Sequence, residues 1–95
     1  MELRDLERKR MLKLILYLLD GRKNASEIVR EVGGSRSTPI VRLKELIRAG
    51  LVKKTVSQEY PYHVYYELTP KGLRIAEKLK EIDEILKEKK GGERK

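Results

Sequence analysis

The sequence predicts a mainly α-helical domain with one small β-hairpin (α+β), in the order α-α-α-β-β-α. Three observations support this fold class. The run from Gly33 to Lys54 contains a double glycine, a hydroxyl-rich cap, an amphipathic stretch and a second glycine stop. Two segments of strand character follow it. The chain then continues in a long stretch whose apolar residues recur at helical spacing.

The first element is predicted as one helix over residues 2–20. Its second half, from Met11 to Leu19, is apolar on nearly every side except at Lys13, and Gly21 is a suitable stop. A helix that is apolar all round needs cover on all sides. We therefore expect one side to face the core of its own chain and the other to face a partner or the last helix.

Two further helices are predicted on either side of the double glycine. A short helix over residues 25–32 is capped by Asn24 or Ser26. The next helix begins within residues 35–38, with Pro39 expected at its first position, where a proline loses no helical hydrogen bond. This pair and its tight turn have the layout of a helix-turn-helix.

A hairpin and a long last helix complete the order. Strands are predicted from residue 51 to about 57 and from 64 to 68, joined by the turn QEYPYH. Thr69 and Pro70 then form a cap and a first helical residue. The helix that follows carries a heptad seam made of Ile75, Leu79, Ile82 and Leu86, with Ile85 beside it.

We predict one domain unit in three parts. Residues 1–69 form a winged helix-turn-helix, because a hairpin directly after a helix-turn-helix is a wing; residues 70–90 form a C-terminal dimerisation helix, and residues 91–95 a disordered tail. The chain has 95 residues and no Trp or Phe, so a dimer would add apolar burial that a monomer lacks. The alternative is that the seam folds back onto helix 1 of its own chain. The expected homodimer interface joins helix 1 and the last helix through Leu3, Leu6, Met11, Leu14, Ile75, Leu79, Ile82, Ile85 and Leu86.

The charge distribution indicates a nucleic-acid partner. The formal net charge is +8, and residues 21–54 carry nine cations against three carboxylates. The excess therefore lies on the helix-turn-helix and the base of the wing, whereas a merely solvated face has mixed signs. An anionic membrane is the other usual partner of a basic surface. The apolar run from Met11 to Leu19 is far shorter than the ~20 residues of a membrane span, and no membrane is expected.

Catalytic and metal chemistry have little support. The chain has no cysteine, which excludes disulfides and thiolate metal ligands, and its only histidine, His63, has no ligand cluster near it in the sequence. Ser35 and Ser37 have no neighbouring base, and Gly33-Gly34 lacks the preceding strand of a phosphate-binding loop. We expect no enzymatic activity, no metal and no cofactor.

The third helix is the candidate reader of DNA. With Leu43 inward, the residues expected on the core side are Pro39, Ile40, Leu46 and Ile47, and those expected on the flanks and outer side are Ser37, Thr38, Val41, Arg42, Lys44, Glu45 and Arg48. Hydroxyls at the start of a helix suit phosphates or base edges, Arg42 suits a guanine edge, and Val41 suits a thymine methyl group. The helix alone fits a solvated charged face equally well, and the charge concentration favours DNA.

The segments SRSTPIVRLKELIRAGLVKK and VYYELTPKG resemble the winged helix-turn-helix of bacterial and archaeal transcription regulators of the MarR, ArsR and HxlR kind. The resemblance covers roughly residues 10–76, and the long last helix is similar to that of small archaeal winged-helix proteins that dimerise through a coiled coil. It implies that the start of the third helix reads the major groove. The residues so assigned are Arg36, Ser37, Thr38, Val41 and Arg42.

The wing departs from that pattern. Wings in these families commonly carry Arg or Lys at the tip, whereas this tip is Gln58 to His63, with cations only at its base. Packing along the hairpin is the favoured interpretation for Tyr65 and Tyr66, and either packing or phosphate contact fits Tyr60 and Tyr62. The expected phosphate contacts are Arg22, Lys23, Ser35, Lys44, Arg48, Lys53, Lys54, Tyr60, Tyr62 and His63.

The sequence thus predicts a homodimeric, sequence-specific binder of double-stranded DNA that regulates transcription in the cytoplasm, associated with the nucleoid. Two alternatives stay open: an architectural chromatin protein with little sequence preference, and a winged helix used as a protein-interaction module. The sequence identifies no effector ligand. One Asn, one Gln and many Lys, Glu and Arg residues favour a thermophilic source, and the resemblance favours an archaeal one.

Overall fold

The N-terminal part of the chain forms two helices where the sequence predicted one. The computed structural model describes residues 1–35 and 37–88; Arg36 and the predicted tail at 91–95 lie outside the described residues. A 3-10 helix spans Leu3–Glu7, and helix α1 spans Met11–Leu18. The break is at Arg10, which has a left-handed backbone with φ of 68°. Residues 7–10 are all charged, so a continuous helix would bury no apolar surface there.

Helix α1 is the centre of the core. Met11, Leu14, Ile15 and Leu18 are completely or almost completely buried within the chain. The expectation that Met11 and Leu14 contact a partner chain is therefore wrong, because neither side chain has surface left to offer. Of this helix, Leu12 is the apolar side chain that stays exposed.

Helix α2 spans Ala25–Val32 and helix α3 spans Ser37–Arg48. Asn24 caps α2 in a capping box, in which its Oδ1 accepts from the Glu27 N–H at 2.8 Å. Two corrections concern α3. Pro39 is the third helical residue and not the first, which is still tolerated because the first turn has no intrahelical acceptors for its N–H groups. Ile47, expected on the core side, is exposed.

The hairpin consists of strands β1, Val52–Val56, and β2, Val64–Leu68, which pair antiparallel with Val52 opposite Leu68 and Val56 opposite Val64. Lys23 adds an isolated bridge to the outer edge of β2. Its N–H donates to the Tyr66 carbonyl at 3.0 Å, and its carbonyl accepts from the Tyr66 N–H at 2.8 Å. The bridge ties the loop between α1 and α2 to the wing.

Helix α4 spans Pro70–Lys87, with Thr69 as its N-cap and Pro70 at its first position, as predicted. Thr69 is held against the end of α3, because its Oγ1 donates to the Gly50 carbonyl at 2.7 Å and its N–H to the Leu51 carbonyl at 2.9 Å. Gly72 is buried there, and a Cβ at this position would overlap the Leu51 carbonyl. The close approach fixes α4 against the α3–β1 connection.

The core lies between α1, α2, α3, the base of the hairpin and the first half of α4. The molecule measures 57 × 24 × 24 Å, and its radius of gyration of 15.1 Å exceeds the ~12 Å of a globular chain of this length. The long dimension arises because the second half of α4 extends from the core. The exposed fractions there are 53% for Ile82, 60% for Ile85 and 77% for Leu86.

Candidate nucleic-acid interface

The start of α3 presents a cluster of hydroxyl groups. Ser35 Oγ lies 2.9 Å from Thr38 Oγ1 and 3.2 Å from Ser37 Oγ, and it accepts a hydrogen bond from the Thr38 N–H at 3.3 Å. Ser35 thus caps the first turn. Because Ser35 and Ser37 are exposed and Thr38 is half-buried, the cluster is open at the end of the helix, where backbone N–H groups and the helix dipole favour anions.

The outer face of α3 agrees with the helical wheel at most positions. Val41, Lys44 and Arg48 are exposed, and Pro39 and Leu43 are buried. The exposure of these side chains confirms which side of the helix faces outward. Their assignment to bases or phosphates remains a prediction, and Arg36 is not among the described residues.

Arg42 differs from the rest of this face. Its side chain is 16% exposed, and its Nη1 lies 3.3 Å from Oε1 of Glu45, whose side chain is 25% exposed. The sequence placed both residues on the flanks or outer side of α3, and the structure joins them in an ion pair along the flank. Arg42 is therefore folded back along its own helix and does not project from it.

The base of the wing carries exposed cations. Lys53 and Lys54 are exposed on β1. The guanidinium carbon of Arg22 lies 4.2 Å from the centroid of the Tyr65 ring, a cation–π arrangement that places this exposed cation beside the hairpin. Lys23 is turned differently, since its Nζ lies 4.9 Å from the Tyr17 ring and the residue is half-buried. Of the two predicted linker cations, Arg22 is the more accessible.

The wing tip is polar and aromatic. Ser57 closes it, because its N–H donates to the His63 carbonyl and its Oγ accepts from the His63 N–H, both at 2.8 Å. Tyr60 and Tyr62 are largely exposed and meet edge to face, with ring centroids 6.0 Å apart. His63 is exposed, and its ring centroid is 6.1 Å from that of Tyr65. Tyr60, Tyr62 and His63 thus display side-chain hydrogen-bond donors at the tip, and the cations stay at the base.

Arg10 is a further candidate residue of this interface that was not predicted from the sequence. Its guanidinium lies against Gly34 in the turn between α2 and α3, where an added Cβ would be 3.0 Å from Arg10 Nε. That Nε is buried and has no hydrogen-bond partner among the described residues. The available signal was the run Arg8-Lys9-Arg10, which interrupts the apolar pattern just before α1. A cation of the N-terminal segment therefore reaches the helix-turn-helix turn.

The described ranges, 1–35 and 37–88, contain neither a metal-binding cluster nor a membrane-spanning helix. No three His, Cys, Asp or Glu side chains gather there in a way that would hold a metal ion. Within the same ranges, no helix has the length and apolar character that crossing a membrane requires. The basic face around α3 and the wing is the candidate functional surface.

Comparison with known proteins identifies the family. The HxlR-like helix-turn-helix family matches residues 2–93. An uncharacterized HTH-type transcriptional regulator of Pyrococcus furiosus is 37% identical over 84 residues, which cover 77% of this chain and 57% of that protein. The regulator YvaP of Bacillus subtilis, described in the same terms, is 39% identical over 80 residues, covering 82% of this chain and 74% of that protein. The chain thus spans little more than half of the archaeal relative.

Solved structures agree on the fold. A transcriptional regulator of the MarR family from Enterococcus faecalis superposes with a TM-score of 0.76 at 30% identity, over 87% of this chain and 76% of that one. The reduced form of the regulator YodB from Bacillus subtilis gives 0.71 at 34% identity, over 84% and 80%. The chain is therefore a winged helix-turn-helix protein that belongs to the HxlR-like family, whose relatives are described as transcriptional regulators.

Proposed function

We propose that this protein is a transcription regulator that binds double-stranded DNA sequence-specifically as a homodimer, with α3 in the major groove. The observation that supports this most directly is the exposed face of α3, which combines an open hydroxyl cluster at its start with the cations Lys44 and Arg48. The sequence segment that contains α3, residues 21–54, carries nine cations and three carboxylates. Such a surface supplies both phosphate contacts and groups for base edges.

The phosphate contacts are assigned to the accessible groups around α3. Lys53 and Lys54 of β1 and Arg22 beside Tyr65 extend the basic surface toward the wing. Tyr60, Tyr62 and His63 add hydrogen-bond donors at the tip, suited to hydrogen bonds with phosphate oxygens. Because cations carry most of this contact, the affinity should fall steeply as salt rises.

The homodimer is assigned to the exposed end of α4 and to the N-terminal segment. Ile82, Ile85 and Leu86 form an apolar stripe at that end, and Leu3 is exposed on the segment that lines one depression together with Ile75 of α4. An unpartnered stripe of this kind marks an association surface. Leu6, Ile75 and Leu79 pack partly against the core of their own chain, so they sit at the inner edge of this surface.

In vitro selection of duplexes from a random pool tests the proposal. A homodimer of this fold should enrich a palindrome whose half-sites are about one helical turn, roughly 34 Å, apart. Equal affinity for selected and random duplexes would favour an architectural protein. Absence of binding at low salt would favour a protein-interaction module and overturn the proposal.

Two variants separate base contacts from phosphate contacts on the selected duplex. Arg42→Ala should relax the sequence preference, because a bidentate contact to guanine contributes about 1–3 kcal/mol of discrimination. Lys54→Ala should weaken binding to selected and random duplexes alike and reduce the salt dependence by about one counterion. An equal loss on both duplexes for Arg42→Ala would contradict its role as a base reader.

A further inference from the structure

The Arg42–Glu45 pair lies on the flank of α3, one turn apart on the helix proposed to read DNA. It is more enclosed than the other ion pairs among the described residues. Its side chains are 16% and 25% exposed, whereas those of Lys87 and Asp83 on α4 are 74% and 44% exposed. The enclosed setting means that this pair is less screened by solvent than an ordinary surface pair.

The pair leaves both partners incompletely satisfied. Arg42 Nε and Glu45 Oε1 are buried, and neither has a hydrogen-bond partner among the described residues, although Nη1 and Oε1 are in ionic contact at 3.3 Å. A guanidinium has five N–H donors, and a buried donor without an acceptor costs free energy. The ion pair with Glu45 thus holds Arg42 along the helix, but it leaves the Nε–H of Arg42 without an acceptor.

A guanine edge offers what Glu45 does not. Its O6 and N7 accept two parallel hydrogen bonds from one guanidinium in the major groove, whereas the other base pairs present a different pattern there. At a guanine edge the N–H groups of Arg42 would gain acceptors in an arrangement that no other base edge presents. Among base edges, release of Arg42 from Glu45 is therefore favoured where the sequence supplies a guanine within reach.

Glu45 has other cations close by once Arg42 leaves. Together with the N-terminal segment it lines a surface depression of about 250 Å³, whose walls are Met1, Asp5, Arg8, Glu45, Arg48 and Ala49. Arg8 and Arg48 are cations of this depression, and Arg8 already contacts Asp5 at 3.2 Å. Once Arg42 leaves, the Glu45 carboxylate therefore still faces a depression that contains two other cations.

We propose that Glu45 is a positioning residue for sequence discrimination: it holds Arg42 back along α3 and releases it only to a guanine edge. On random DNA, Arg42 stays with Glu45, and the pair presents little net charge to the phosphates. On the preferred site, Arg42 extends and adds its contacts. Glu45 therefore lowers affinity for random DNA more than affinity for the preferred site. This inference rests on the proposed DNA-binding function.

The test compares Glu45→Gln with Glu31→Gln, a variant that removes the same charge from an exposed position on α2. Affinities are measured for the selected duplex and for a random duplex of equal length, over a salt series. Both variants should bind random DNA more tightly through charge alone. Glu45→Gln should in addition lower the ratio of selected to random affinity by about threefold or more, as expected for loss of one ion pair.

A double variant shows whether Glu45 acts through Arg42. In an Arg42→Ala background, Glu45→Gln should change affinity no more than Glu31→Gln does. Glu45→Asp, which keeps the charge on a shorter side chain, should lie between the unaltered chain and Glu45→Gln and also serves if Glu45→Gln folds poorly. The Nε–Hε resonance of Arg42, followed by NMR, should shift on addition of the selected duplex and not of the random one.

The outcomes separate this inference from the function on which it rests. If the unaltered chain prefers its selected duplex and Glu45→Gln leaves the ratio at the Glu31→Gln value, the positioning role is overturned and the DNA-binding function stands. The same holds if the effect of Glu45→Gln persists in the Arg42→Ala background. If the unaltered chain binds no DNA at low salt, both proposals are overturned together.

Discussion

The two halves of α4 lie in different surroundings although they continue one heptad seam. In the first half, Gly72 and Ala76 are buried, and Ile75 and Leu79 pack partly against the core. In the second half, the seam and its flank are exposed at Ile82, Ile85 and Leu86. The helix therefore changes from a core element to an exposed one about midway along its length.

The difference shows that one periodic pattern can serve two purposes. The first half of α4 completes the fold of a single chain, because Gly72 lets the helix approach the Leu51 carbonyl and Thr69 bonds the end of α3. The second half extends from that core and leaves Ile82, Ile85 and Leu86 exposed. Changes in the first half should act on folding, and changes in the second half on association.

The largest expected effect is at Gly72. An added Cβ in Gly72→Ala would overlap the Leu51 carbonyl, and backbone cannot rotate away as a flexible side chain can. The helix would have to shift, and the Thr69 bonds to Gly50 and Leu51 would be strained. We expect a loss of about 3 kcal/mol in unfolding free energy, from overpacking at a rigid contact. Thermal unfolding should show a fall in Tm of about 12 °C or more.

Lys78→Ala is the matched control for Gly72→Ala. It truncates an exposed side chain of the same helix to the methyl group of alanine and meets no backbone, so the Tm should change by a few degrees at most. A Tm for Gly72→Ala within that range would show that α4 can move away from the α3–β1 connection at little cost. The distinction between the two halves of the helix would then fail.

The next effect is on association. Ile82→Asn with Ile85→Asn removes two exposed apolar side chains from the far half of α4. Since each buried isoleucine contributes about 1.5–3 kcal/mol to an interface, the dimer should weaken by about a hundredfold or more. The Tm of the monomer should hardly change. Sedimentation equilibrium over a concentration series measures the dimerisation constant.

Lys80→Asn with Glu84→Asn is the control for that double variant, because both positions are exposed on the opposite side of the same segment and the net charge is unchanged. This variant should dimerise as the unaltered chain does. If both double variants weaken association equally, the apolar stripe is not the interface. If neither does, the far half of α4 has another role.

Local chemistry explains most of what the sequence predicted correctly about the fold. The caps at Asn24 and at Thr69-Pro70 place two helix starts, because each cap satisfies N–H groups a few residues away. The break at Arg10 was not predicted, and Pro39 was expected at the first position of its helix but is the third. Arg10 lies against Gly34, which is distant in the sequence. The cap that starts α3 before Pro39 is local, because Ser35 accepts a hydrogen bond from the Thr38 N–H.

In the candidate site, too, local patterns were predictable and contacts between distant residues were not. Helical periodicity is enough to predict that Val41 and Lys44 are exposed, because the opposite side of α3 must bury Leu43. The spacing of Arg42 and Glu45 allows an ion pair on any helix. The surroundings of Glu45 were not predictable from α3 alone, because Asp5 and Arg8 of the N-terminal segment line the same depression. Asp5 and Glu45 are forty positions apart in the sequence.

Smaller effects are expected from the helix cap of α2, which belongs to the core region, and from the ion pair near the end of α4. Asn24→Ala removes the capping box of α2 and should cost about 1 kcal/mol, or roughly 4–8 °C in Tm. Asp83→Ala removes the exposed contact to Lys87 at 3.1 Å and should cost about 0.5 kcal/mol or less. Chemical denaturation of both variants checks this order. If Asp83→Ala cost more than Asn24→Ala, the second half of α4 would contribute more to the stability of the fold than the exposure of its side chains indicates.

The smallest effect concerns the N-terminal 3-10 helix, which borders both regions. The Glu2 N–H donates to Asp5 Oδ2 at 2.7 Å, and this hydrogen bond, with the nearby Arg8, lowers the pKa of the Asp5 carboxyl below its usual 3.8. Because the folded pKa is the lower one, the stabilisation is fully present above pH 3.8 and is lost as the pH falls through the folded pKa. Amide hydrogen exchange of residues 2–8 should therefore accelerate in acid, before the core amides of α1 respond. In Asp5→Asn the segment should exchange rapidly already at neutral pH, and its remaining acid response should be reduced. An unchanged acid response in Asp5→Asn would mean that another group holds this segment against α3 and α4.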